Sequence, residues 1–165
     1  MLRFLWRFVA FLAEMNGYTP FFQALFKAYL AIIVGGLSVL SGWVCSVFGT
    51  SYSTNAFNPP ETIIGEQNSV CTETFLLIGP FDAEIEQKNC YKYICTNFFK
   101  ALLFFGRGTM QVSQDVFRFI PLQNFSNQSD INWNKSITVI DRQLYEKYYL
   151  TNEEITFIEN RIKSI

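Results

Sequence analysis

Histidine is absent from the chain, and that absence excludes more chemistry than any residue present suggests. Without imidazole there is no Ser-His-Asp or Cys-His nucleophile, no His-ligated zinc and no histidine acting as general acid or base. Cysteine is scarce too: Cys45, Cys71, Cys90 and Cys95 form no C-x-x-C pair. Thiolates at these spacings, with no His to complete the set, make a poor zinc site, so free, reduced, mostly buried thiols are expected. Phosphate-cradling glycine motifs of the G-x-x-x-x-G-K-[ST] or G-x-G-x-x-G type are missing, and "GRGT" at Gly106–Thr109 is too short to replace them. Charge of one sign is also lacking, since 13 basic residues face 14 acidic ones. A non-specific grip on nucleic acid phosphates would call for a basic excess.

What is present divides unevenly. Residues 1–50 carry only Arg3, Arg7, Glu14 and Lys27, which leaves ten basic and thirteen acidic residues beyond position 50. Ala28–Phe48, "AYLAIIVGGLSVLSGWVCSVF", contains no charge. As a helix its 21 residues would span roughly 31 Å, close to a bilayer's hydrocarbon thickness, with Arg3, Arg7 and Lys27 on the cytoplasmic side. The upstream "MLRFLWRFVAFLAEM" would lie along a membrane interface or open a targeting sequence. A buried hydrophobic helical hairpin is the other reading of the same residues. Residues 1–56 are therefore expected to form a hydrophobic helical segment, and residues 57–165 a separate domain.

The second part begins at the punctuated connector "FNPPETIIGEQNS". "TETFLLIG" reads as a strand broken at Gly79-Pro80, and Asp82 as the N-cap of a helix whose first turn holds Glu84 and Glu86. Ile85, Tyr91, Ile94, Cys95, Phe98, Phe99, Leu102 and Phe105 continue one helical stripe up to Gly106, a left-handed stop. "VFRFIPL" reads as a short strand ended by Pro121. Ile137, Ile140, Leu144 and Tyr148 mark another helix, and "TNEE" at Thr151–Glu154 is a capping box with Ile155, Ile158 and Ile162 behind it. The expected fold class is α+β: a small mixed sheet, one long helix and two short C-terminal helices, preceded by the hydrophobic helical segment.

Two motifs invite a catalytic reading, and neither sustains it. "NPPE" at Asn58–Glu61 compares with the [DNS]PP[YFW] tetrapeptide of amino-methyltransferases, but Glu61 stands where an aromatic ring should stack on a flipped base. Asp82 with Glu86 and Lys88 echoes a PD…ExK nuclease site. All three would lie within about a turn and a half of one helix and face different ways. Three N-x-S sequons, at Asn124, Asn127 and Asn134, fall in a stretch rich in Asn and Ser and matter only in a secreted chain.

Four ordered signatures remain: "TETFLLIGPF" (72–81), "YICTNFFKAL" (93–102), "FIPLQNF" (119–125) and "LYEKY" (144–148) followed by "LTNEEITFIE" (150–159). As a set they resemble the C-terminal end of bacterial type II restriction–modification enzymes with adenine-specific DNA methyltransferase chemistry, over about residues 57–163. In that family the nuclease and methyltransferase motifs lie upstream, and the C-terminal part is associated with target recognition. The resemblance implies a cytoplasmic fragment with a DNA-recognition or scaffold role, without cofactor, metal or catalytic residues of its own. Double-stranded DNA is the implied partner. The chain departs from the family at Tyr149, where the family usually has glycine, and in its first 56 residues, which fit a truncated or frameshifted reading frame. If the recognition role holds, Lys100, Arg107, Gln111, Gln114 and Arg118 are the expected DNA contacts, with the basic groups on the backbone and the amides on base edges. The alternative is a small single-span membrane protein, anchored through Ala28–Phe48, with a soluble C-terminal domain.

Overall fold

A computed structural model describes residues 37–39, 43–48, 62–66, 70–72, 75–106 and 114–161. Among the described residues five strands come first: β1 (Leu37–Val39), β2 (Trp43–Phe48), β3 (Thr62–Gly65), β4 (Val70–Thr72) and β5 (Phe75–Phe81). Four α-helices follow: α1 (Glu84–Cys95), α2 (Asn97–Gly106), α3 (Ile137–Lys147) and α4 (Asn152–Arg161), with a 3-10 helix over Gln114–Phe119 between α2 and α3. The class is thus mixed, with the described strands preceding the described helices.

Among the described residues β1 pairs with β4, and β2 lies between β3 and β5 in a three-stranded sheet. Every pairing is antiparallel. Ser46 faces Ile63 on one side and Leu77 on the other. Two expectations change here. The described parts of Ala28–Phe48 are strands, not stretches of one spanning helix, and no helix among the described residues is long and apolar enough to cross a membrane. Val39, Val44 and Val47 are β-branched and favour extended backbone. The expected boundary at residue 56 is crossed by the same sheet, because β2 lies before it and β3 and β5 after it.

The strand β5 does not stop at Gly79-Pro80. It runs on to Phe81, with a cis peptide between those two residues and Gly79 at φ 134°. The register jumps from Cys45↔Ile78 to Trp43↔Phe81, so Gly79 and Pro80 oppose the single residue Val44. That is a bulge, and glycine supplies a backbone angle that other residues rarely adopt. Proline is tolerated because β5 is an edge strand and loses no essential ladder donor.

The expected long helix is two helices. At Thr96 the backbone turns extended (φ −67°, ψ 151°), and the α1 N-cap is Ala83 where Asp82 was expected. The apolar stripe continues across this elbow from Tyr91 to Phe105 into one core, whereas Ile85 at the start of α1 is exposed. The expected strand at 116–122 is also replaced, by the 3-10 helix. Residues three apart eclipse one another in such a helix, so Val116 and Phe119 present one face. That face sits on Gly106, where a Cβ would meet Val116 Cγ1 at 3.1 Å and Phe119 Cδ2 at 3.2 Å. Close approach therefore explains Gly106; its φ is not among the positive glycine angles of the described residues.

The core draws Tyr93, Ile94, Phe98, Phe99, Leu102 and Leu103 from α1 and α2, Ile140 and Leu144 from α3, and Ile158 from α4. Each fully buried side chain of this kind contributes roughly 1.5–3 kcal/mol of transfer free energy. The capping box forms as expected. The Thr151 N–H donates to Glu154 Oε2 at 2.8 Å and the Glu154 N–H to Thr151 Oγ1 at 3.3 Å. Ile158 is buried behind it, whereas Ile162 lies outside the described residues.

Candidate functional site

The densest group of buried polar side chains surrounds the α1–α2 elbow. A helix start leaves its first N–H groups without intrahelical acceptors, and a buried start must satisfy them otherwise. Here every one is accounted for. The Asn97 N–H donates to Asp141 Oδ2 at 3.0 Å and the Phe98 N–H to Asp141 Oδ1 at 2.9 Å. The Phe99 N–H donates to Thr96 Oγ1 at 3.1 Å, and the Lys100 N–H to the Thr96 carbonyl at 3.2 Å. The Thr96 hydroxyl in turn donates to the Tyr93 carbonyl at 2.6 Å, closing the end of α1. Thr96 ends one helix and caps the next, and Asp141 reaches in from α3 to complete the cap.

Asp141 is 3% exposed. Burial pushes its carboxyl up to about 6, against the opposing pull of the Phe98 and Asn97 N–H bonds. Glu159 pushes it further in the same direction, and Lys100 opposes it. Glu159 extends the network to α4. Its Oε1 accepts the Tyr145 hydroxyl at 2.8 Å and its Oε2 accepts Asn97 Nδ2 at 3.4 Å. Burial, reinforced by Asp141, holds the Tyr145 phenol protonated far above its ordinary range. The Asp141 carboxyl is enclosed and holds the start of α2 through both of its oxygens. The cluster clamps α2, α3 and α4 together.

A second junction holds the segment between the 3-10 helix and α3. Gln123 Nε2 donates to the Pro121 carbonyl at 3.0 Å and to the Tyr148 hydroxyl at 2.7 Å. Gln123 Oε1 accepts Lys147 Nζ at 2.9 Å, and that ammonium also pairs with Asp130 at 2.7 Å. The Tyr93 hydroxyl donates to the Pro121 carbonyl at 2.9 Å. Further along, Asn89 Nδ2 donates to the Phe125 carbonyl at 2.8 Å and Trp133 Nε1 to the Asn124 carbonyl at 2.9 Å. Phe125, Ile131 and Trp133 are buried, so a stretch that reads as polar loop is anchored by three apolar side chains. Spacing gave little sign of this, because the three residues follow neither a helical nor a strand period.

Of the expected DNA contacts, Lys100 is 5% exposed, on the buried side of α2. A side chain so enclosed offers a duplex almost no surface, and its charge acts on Asp141 instead. Gln114 and Arg118 belong to the 3-10 helix, with side chains outside the described part of the structure. Arg107 and Gln111 lie outside the described residues. Asp82, Glu86 and Lys88 do not converge: Lys88 pairs instead with Glu84, one turn earlier on α1, at 2.6 Å, and both partners are half exposed. Among the described residues no group of three or more Cys, Asp or Glu could hold a metal ion. Asn58–Glu61 lies outside them. No protein-family model matches the chain, and neither a curated protein nor a solved structure matches it.

Proposed function

We propose that residues 57–165 are a non-catalytic DNA target-recognition or scaffold part of a restriction–modification enzyme, acting on duplex DNA in the cytoplasm. The observation that carries this reading is the seat of the 3-10 helix on Gly106, where Val116 and Phe119 close against the end of α2. Gly106 and Val116, which flank Arg107, Gln111 and Gln114 in sequence, meet at the edge of one packed core. Recognition segments work best when a rigid scaffold fixes both of their ends. The two buried polar junctions support the same reading, because their hydrogen bonds join helix to helix and segment to segment. Three of the four ordered signatures contribute to those junctions: Tyr93 and Thr96 in the second, Gln123 in the third, and Tyr145 and Glu159 in the last.

Salt-dependent binding of the full chain to duplex DNA tests the proposal. Each phosphate contact contributes close to one unit to the slope of log K against log salt. Arg107→Ala and Arg118→Ala should each lower that slope by about 1. A chain that binds no duplex at low salt, or both variants matching the native slope, would sink it.

A further inference from the structure

We draw no further inference here: the strongest candidate, the exposed apolar surface of Ile63 and Ile64 on β3 and Ile85 on α1, carries none because nothing among the described residues shows what covers it.

Discussion

The Asp141 and Gln123 junctions solve the same problem with opposite chemistry. Each brings a polar side chain into a buried seam and commits it to neighbouring groups. Asp141 does so with a carboxylate that has no cation within ion-pairing distance among the described residues, relying on two N–H groups at the start of α2. Gln123 does so with a neutral amide whose oxygen and nitrogen are both engaged. The first arrangement gains from the positive end of a helix dipole but carries the desolvation of a charge. The second carries no charge of its own and leaves its ion pair at the rim. The helical clamp should therefore respond to acid, whereas the segment anchor should not.

The largest effect that would break this contrast comes from Asp141→Ala. It strands two buried N–H groups, so chemical denaturation at pH 7 should show a loss of about 2–4 kcal/mol. A loss below about 0.5 kcal/mol would mean the elbow is not a cooperative part of the fold.

The second effect is the response to pH. The Asp141 carboxyl is raised to about 6 in the folded chain against 3.8 when unfolded, so the folded state holds the proton more tightly between those values. Its contribution to stability is complete below about pH 3.8 and is lost as pH rises through about 6. Between pH 5 and pH 7 this amounts to about 1.4 kcal/mol, with the protein more stable at pH 5. Denaturant midpoints across that window should show the slope in the native chain, and Asp141→Asn should flatten it. Gln123→Leu should leave the slope intact even though it lowers stability throughout.

The smallest effect sharpens the comparison at the rim. Asp130→Asn removes the partner of Lys147 on an exposed carboxylate and should cost only a few tenths of a kcal/mol. Thermal melts that fell as far as for Asp141→Ala would show that the anchor depends on its ion pair after all.

Local signals were legible where neighbours in sequence are also the interacting partners. The capping box at Thr151–Glu154 and the α3 stripe needed only residues three or four apart; the box forms, and Ile140, Leu144 and Tyr148 are buried while Ile137 is exposed. The loop anchors Phe125, Ile131 and Trp133 were not, because Phe125 and Trp133 are held by side chains of α1 and Ile131 by the loop itself. Lys100 shows the same limit at the candidate site. It falls among apolar helix positions as a solvent-facing lysine would, yet it is buried in the folded chain, where its charge acts on Asp141 of α3.

Composition and spacing alone determined that no imidazole chemistry is available, that the C-terminal part is helical, and where its last helix starts, because those properties reside in residue types and short separations. Tertiary structure decided that the apolar stripe bends at Thr96, that Ala28–Phe48 includes two strands, and that Gly106 makes room for Val116 and Phe119. Each of those outcomes depends on a partner distant in the chain, such as the Asp141 carboxylate some forty residues beyond the elbow it caps. Hydrophobic periodicity is indifferent to such a partner, since it records which side of an element is buried and not what arrives to satisfy its backbone.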